Sequence, residues 1–367
     1  MSFSLGFRGR YFSLQDILER DCPEKEHQNL TKAWSFLKDF SKGQRTFIIK
    51  TSGSTGIPKE LHLHWDAMEK SAAATGAVLG YQEGDSFLLC LNPSYIGGLM
   101  VLVRALHFGG SVEVLEATSI AEQLRGLSLP FPKHLSLAPL QLRAILAEEG
   151  ATEVLAKFAT VLVGGAAIAA DLAIVAKNVR GPRLYQTFGM TETISHFALR
   201  ALNGSNVASA YSLLLGVRIQ INKKDCLQVK TPWTGPNWIS TNDIVLLGNE
   251  GKSFEWQGRA DFTINSGGVK IQPEQVESLA NEVLAKLQIT NQAVAVGIPD
   301  SALGQKLVLC SEGDSPLSMP ARLGIEAATR LELGQYHVPK AYYQIAAFPR
   351  TLAGKLDRRA LMASLSA

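Results

Sequence analysis

The spacing of hydrophobic positions changes twice along this chain. Between residues 45 and 190, short apolar runs at Thr46–Ile49, Phe87–Leu91, Val112–Leu115, Leu135–Ala138, Thr160–Val163 and Leu184–Thr187 alternate with stretches of helical spacing. The helical stretches are Asp66–Val78, Leu99–Phe108, Leu140–Glu149 and Ala170–Val179. Alternation of this kind predicts a mainly parallel sheet covered on both faces. From about 209 to 256 the runs shorten to Val217–Ile221, Leu227–Lys230, Ile244–Leu247 and Phe254–Trp256, separated by Gly, Pro and Asn. That texture predicts antiparallel β structure. A third begins near Gly258, with a strand at Ile271, a helix over Glu274–Leu287, strands at Ala293–Gly297 and Lys306–Cys310, a helix from Ala321 to Leu333, a strand at Tyr342–Ile345 and a short helix from Asp357. Pro273 suits the first turn of its helix.

The fold class expected is therefore α/β. A large N-terminal domain over residues 1–258 carries mainly parallel sheets covered by helices plus a β-rich subdomain. A small, mobile α+β domain follows over 259–367. The join, Gly258-Arg-Ala-Asp261, is short and charged, which suits a hinge near Asp261 better than a tether.

Composition narrows the class without naming a chemistry. With 46% hydrophobic and 19% charged residues among 367, the chain is an ordinary globular protein. A net charge of +3 makes no case for nucleic acid. Cys22, Cys90, Cys226 and Cys310 lie far apart, Cys90 and Cys310 inside apolar runs, and the seven histidines show no metal-ligand spacing. This argues against a zinc site or a disulfide framework. The N-terminus lacks the apolar core of a signal peptide and no run is long enough to span a bilayer, so no membrane insertion and a cytoplasmic location are expected. A homo-oligomer stays open.

The segment with the most chemistry is Thr51-Ser-Gly-Ser-Thr-Gly-Ile-Pro-Lys59. Its glycines let backbone N–H groups approach an anion. Ser52, Ser54 and Thr55 add hydroxyl donors, and Lys59 adds a charge that reaches phosphate oxygens. It is not a Walker A loop: the glycine gap is too short, and Glu60 stands where magnesium would need Ser or Thr. Alone, such a cluster is also an ordinary flexible loop.

Four further segments bear on it. Tyr185-Gln-Thr-Phe-Gly-Met-Thr-Glu-Thr193 places Thr191 and Glu192 after a strand, at the edge where open α/β sheets bind ligands. Glu192 can hold Mg²⁺, which takes hard oxygen ligands, although a capped helix start reads equally well there. Asp243, in Trp238-Ile-Ser-Thr-Asn-Asp243, is expected at a strand end, where its carboxylate can accept both ribose hydroxyls. In Gly258–Lys270, Arg259 offers a fork of donors and Gly267-Gly268 allow close backbone approach. In Pro349-Arg-Thr-Leu-Ala-Gly-Lys-Leu-Asp357, Lys355 follows a glycine in a loop.

In this order and at these distances, the five segments resemble the core motifs of the adenylate-forming superfamily of acyl-CoA synthetases, peptide-synthetase adenylation domains and luciferases. The resemblance runs from about Ile48 to Leu361. It implies ATP, Mg²⁺ and coenzyme A as cofactors and a small-molecule carboxylic acid as substrate, first joined to AMP and then passed to the CoA thiol. It further implies that Ser52, Ser54, Thr55 and Lys59 contact the β- and γ-phosphates, and that Thr191 and Glu192 serve the α-phosphate and Mg²⁺. Asp243 and Arg259 would bind ribose, while Gly165, Ala166 and Gln186 would line the adenine site. Lys355 matches the catalytic lysine, Asp261 the hinge, and Gly267-Gly268 the loop offered to the CoA arm.

Within that superfamily, Met190–Arg200, Asn92–Arg104 and Ser136–Pro139 are similar to the o-succinylbenzoate–CoA ligases of menaquinone synthesis. Arg104, Tyr95 and Gly189 are the candidates on the acid side. Arg104 can pair with a second substrate carboxylate, or it can be a helix-surface arginine. Tyr95 stands where many members have histidine, Ile57 and Glu60 replace commoner residues, and the region before the phosphate loop is shorter than in most relatives. An aryl- or fatty-acyl-CoA ligase and a non-catalytic adenylate-binding protein remain as alternatives.

Overall fold

A computed structural model describes residues 3–51, 59–127, 132–205, 207–350 and 356–365. Six parallel strands form one half of a thirteen-stranded sheet, in the spatial order Ser4–Phe7, Ser111–Val114, Ser86–Leu89, His134–Leu137, Thr160–Val163 and Arg183–Gly189. Most of these runs are short and rich in Leu, Val or Phe, and Thr160–Val163 is buried at every position. Parallel strands with both faces covered read as near-continuous apolar runs for this reason. The sheet then continues antiparallel through His196–Ala201, Tyr211–Leu213, Ser253–Arg259, Ile239–Leu247, Cys226–Lys230 and Arg218–Ile221. The β-rich stretch thus extends the parallel sheet. At the opposite edge, Arg10–Ser13 pairs antiparallel with Ser4–Phe7, two strands that the spacing of apolar residues did not mark.

One expected strand falls outside this sheet. Thr46–Thr51 pairs antiparallel with Lys59–His64 in a separate two-stranded hairpin. The connection between them is short, whereas a parallel crossover needs a dozen or more residues. Residues 52–58 join these two strands in the sequence. Ser52, Ser54 and Thr55 lie outside the described residues, as does Lys355.

The helices Trp65–Leu79 and Ile96–His107 pack against one another and bury Met68, Ala72, Leu99 and Leu102 in the largest apolar cluster. The entry to the second helix is tight. A side chain on Gly98 would come within 2.5 Å of the Asn92 carbonyl oxygen, so only glycine lets the loop from Leu91 close onto the helix. A second cluster gathers under Pro139–Leu146 and Ala170–Lys177, around Leu137, Leu142, Phe158 and Val161.

From Ile264 onward the chain builds a sheet of five strands, Val269–Ile271, Ile264–Ser266, Gly304–Glu312, Ala293–Asp300 and Ala341–Ile345. The helices Pro273–Lys286 and Met319–Glu332 pack against each other, and Arg358–Leu365 buries Leu361 against Val296 and Val308. Both apolar clusters of this part draw only on residues from Ile264 on. Cys90, Cys226 and Cys310 are buried and none of the four cysteines is disulfide-bonded; burial pushes the Cys90 and Cys310 thiols up to about 12. Among the described residues no helix is long and apolar enough to cross a membrane.

Candidate active site

Four parallel strands end in loops on one side of the sheet, and those loops border a common cleft. Leu91, Asn92 and Tyr95 follow Ser86–Leu89; Ala138 and Pro139 follow His134–Leu137; Gly164 to Ala167 follow Thr160–Val163; Met190 to Glu192 follow Arg183–Gly189. Asp243, Arg259 and Asp261 close one side. Glu274, Glu277, Arg350 and Leu356 to Ala360 face it from the C-terminal part. The cleft is open to solvent and spans about 3120 Å³, room for more than one substrate at once.

The Thr191 segment is a capped turn, as one reading of the sequence has it. Met190 N donates to Thr193 Oγ1 at 3.0 Å, and Trp233 Nε1 donates to the Thr193 carbonyl at 2.9 Å. These bonds pin the 3₁₀ turn Thr191–Thr193 from behind and leave Thr191 half-buried and Glu192 exposed toward the cleft. Ile194 then takes φ 67° and ψ −43°, an outlier for a β-branched residue. Such strain persists only where surrounding contacts over-determine it; here it turns the chain from the exposed Glu192 to the buried Ser195 and His196. Gly189 lies opposite His196, and a side chain there would meet the His196 Cα at 2.4 Å.

An exposed carboxylate beside a hydroxyl suits a hard, octahedral cation that keeps waters and phosphate oxygens and needs only one or two protein ligands. Glu192 and Thr191 meet that description. The described residues hold no cluster of three His, Cys, Asp or Glu that would bind a metal by itself.

Asp243 departs from expectation. It lies within the strand Ile239–Leu247, not at its end, directly across from Arg259 and next to an irregularity at Ile244 and Val245. Trp256 Nε1 donates to its Oδ1 at 3.0 Å, so one carboxylate oxygen is oriented by the neighbouring strand. Arg259 and Asp261 form a two-bond ion pair, Nε to Oδ1 and Nη2 to Oδ2, both 3.0 Å. The sequence treated the two separately, one as a ligand group and one as a hinge. Gln186 is buried, and its amide oxygen accepts from Arg200 Nη2. Gly165, with φ 85°, and the exposed Ala166 border the cleft. Gly267 and Gly268, with φ 58° and 84°, form the hairpin turn after Ile264–Ser266 and do not line the cleft. Tyr95 is exposed at the start of Ile96–His107 and borders it. Lys59 opens the strand Lys59–His64.

Arg104 is not on a helix surface. It is 4% exposed, and burial pulls its pKa down from the usual arginine range. Its Nη2 donates to Ser195 Oγ at 3.1 Å, while Nε has no partner. Among the described residues no carboxylate forms an ion pair with it. A buried cation without a counter-charge is costly, and this one lines the cleft.

Sequence reasoning missed the partners of Arg104. Ser195 and His196 stood in a quoted motif, but nothing in their spacing showed that they turn inward beneath Gly189. It also missed Glu274, beside Gly258 at the join. Its carboxyl is pushed up to about 7, chiefly by burial and further by Glu277, against the pull of Arg358. The folded chain therefore keeps that proton up to about pH 7, whereas an unfolded carboxyl releases it near 4.5. Stability falls as pH rises through this window, because the native state binds more protons there. Glu274→Gln is expected to be more stable than the parent at pH 8, with the gap closing toward pH 4, as read by urea denaturation across that range.

The sequence pattern of the AMP-binding enzymes matches residues 13–235. A probable 2-succinylbenzoate–CoA ligase of Mycobacterium tuberculosis is 28% identical over 334 residues, covering 86% of this chain and 83% of its own. A 2-succinylbenzoate–CoA ligase of Staphylococcus aureus is 29% identical over 366 residues, covering 94% and 71%. A crystal structure described as an acyl-CoA synthetase (AMP-forming)/AMP-acid ligase II-like protein, from Dyadobacter fermentans, is 34% identical with a TM-score of 0.63 and all of both chains covered. The o-succinylbenzoate CoA synthetase of Bacillus subtilis, in complex with its acyl-adenylate intermediate, shares the fold at a TM-score of 0.70 and 23% identity, covering 86% of this chain and 68% of its own.

Proposed function

Since this chain belongs to the AMP-binding enzyme family and is an adenylate-forming acid–CoA ligase, we propose that its acid is 2-succinylbenzoate, used with ATP, Mg²⁺ and coenzyme A. The observation that carries this reading is Arg104. A monoacid is consumed entirely at the reacting carboxylate. A diacid leaves a second carboxylate, and a buried guanidinium with no counter-carboxylate among the described residues is the group that receives one, with geometry suited to two parallel bonds. The names of the relatives from Mycobacterium and Staphylococcus point to the same acid.

In the first half-reaction a carboxylate oxygen of the acid bonds to the α-phosphorus and pyrophosphate leaves. In the second a thiol sulfur bonds to the acyl carbon and AMP leaves. The protein's part is placement and charge. Arg104 holds the distal carboxylate and so aims the reacting one. Asp243, steadied by Trp256, accepts from the ribose, with Arg259 beside it, and the backbone at Gly165 and Ala166 lies along the adenine. Gln186 completes that wall. Ser52, Ser54, Thr55 and Lys59 grip the departing pyrophosphate, and Lys355 meets the charge at the α-phosphate. Glu192, with Thr191, would hold Mg²⁺, which would neutralise phosphate charge when bound. The domains divide at residues 258 and 259, with Asp261 as the hinge. Paired with Arg259 in this state, it would release that arginine when the C-terminal domain turns to bring Gly267-Gly268 to the thiol.

AMP release measured over a panel of acids tests the specificity. A preference of about 10²-fold or more in kcat/KM for 2-succinylbenzoate over benzoate is expected from a paired buried charge. Equal rates for the two, or a preference for a long-chain fatty acid, would reject the assignment.

A further inference from the structure

From Arg104 a buried chain of hydrogen bonds runs through Ser195 and His196, which also border the cleft, to Thr75 on the helix behind them. Arg104 Nη2 donates to Ser195 Oγ at 3.1 Å. Ser195 Oγ lies 3.4 Å from His196 Nδ1, and His196 Nε2 lies 3.1 Å from Thr75 Oγ1. The Thr75 hydroxyl is within reach of the Ser71 carbonyl at 3.0 Å, one turn back on the same helix. All four side chains from Arg104 to Thr75 are buried.

Counting protons gives the chain a direction. An arginine can only donate, and a hydroxyl carries one proton. If Thr75 donates to Ser71, then His196 Nε2 carries a proton toward Thr75 and Nδ1 carries a lone pair. Ser195 then accepts from Arg104 and gives its own proton to Nδ1, so every proton has an acceptor. The reverse order sends an Nδ1 proton to Ser195, which already accepts from Arg104. Its hydroxyl proton would then have no acceptor among the described residues.

We infer that His196 is a positioning residue for the acid: as the neutral Nε2–H tautomer it takes the Ser195 proton, turns the Ser195 lone pairs onto Arg104 and holds the guanidinium in one orientation. Burial, reinforced by the nearby Arg104 charge, keeps the His196 pKa well below the ordinary histidine value, so the imidazole stays an acceptor at neutral pH. Arg104 makes no ion pair among the described residues, so this single link sets which of its N–H groups face the cleft. Ser195 is spent as a donor on His196, which leaves recognition of the ligand to the guanidinium. The inference rests on the reading of Arg104 as the anchor of a second carboxylate.

The test compares His196→Leu, His196→Gln and Arg104→Ala on 2-succinylbenzoate and on benzoate, with kcat and KM measured separately by AMP release. His196→Leu is expected to lower kcat/KM for 2-succinylbenzoate by about 10- to 100-fold, mainly through KM, and to lower it less for benzoate. His196→Gln, whose amide can accept from Ser195 and donate to Thr75, is expected to restore most of the loss. Should the leucine variant not fold, Ser195→Ala breaks the same link and is expected to give the same KM-weighted loss. Equal losses on both acids, or no rescue by glutamine, would overturn the inference. A selective loss in Arg104→Ala without one in His196→Leu would overturn the relay and leave the anchor standing. Equal losses on both acids in Arg104→Ala would remove the anchor itself.

Discussion

Replacing Lys355 with alanine is expected to lower ATP–pyrophosphate exchange by roughly 10²–10³-fold, while CoA transfer from a supplied acyl-adenylate falls little. The expectation follows from where charge develops. Attack on the α-phosphate gathers negative charge on oxygens that a positioned ammonium stabilises, whereas attack on the acyl carbon places charge elsewhere and expels AMP. Lys355 lies outside the described residues, but its neighbours bear on the case. Arg350 and Leu356 pair across the segment and both border the cleft. Just beyond, Arg358 is held by two bonds to Glu277, at 2.5 and 2.6 Å, and one to the Ala295 carbonyl at 3.0 Å. The chain that carries Lys355 is thus fastened to the helix Pro273–Lys286, and a turn of the C-terminal part about Asp261 would carry the lysine away as a unit. A loss of equal size in both half-reactions would refute the idea that one cleft serves two steps in turn.

The second large effect concerns Arg104 and takes opposite signs in function and stability. Arg104→Met removes a buried cation that has no counter-carboxylate among the described residues and leaves an apolar side chain of similar reach on a helix where Met100, Val101 and Leu102 are also buried. Replacing buried charged groups by well-packed apolar ones is often neutral or stabilising by about 1–4 kcal/mol, so thermal unfolding of the ligand-free variant is expected at or above the parent temperature. The same change is expected to remove selection for a diacid, costing on the order of 2–5 kcal/mol of binding to 2-succinylbenzoate and far less to a monoacid. A variant that melts well below the parent would show that the charge is already compensated in the fold. Stability given up at a site that awaits a ligand is a familiar exchange.

The two effects also show how much of the site was legible in the sequence. Lys355, Glu192, Asp243 and the segment Thr51–Lys59 were singled out by local composition, glycine or hydroxyl residues beside a charge, and took their expected roles from the family resemblance that their order carries. Arg104 was found only as one of two readings, because a cation on an amphipathic helix carries no local mark of which face is buried. Ser195 and His196 had no mark at all. Their inward turn depends on the strained backbone at Ile194 and on glycine at position 189, where a side chain would collide with His196.

By itself the sequence determined the kind and order of most elements beyond residue 45, since apolar periodicity is a local property of helix and strand. It also carried the reaction class, through the resemblance of five motifs in order to the adenylate-forming superfamily. Only the tertiary structure decided that Thr46–Thr51 pairs back onto Lys59–His64, that Asp243 faces Arg259 from within a strand, and that Glu274 is buried beside Gly258, which raises its pKa to about 7. It decided as well that Arg104 is buried and joined to residue 195, ninety-one positions away. Pairing and burial are set by neighbours distant in the chain, and the cost of an unpaired charge exists only once those neighbours have excluded water.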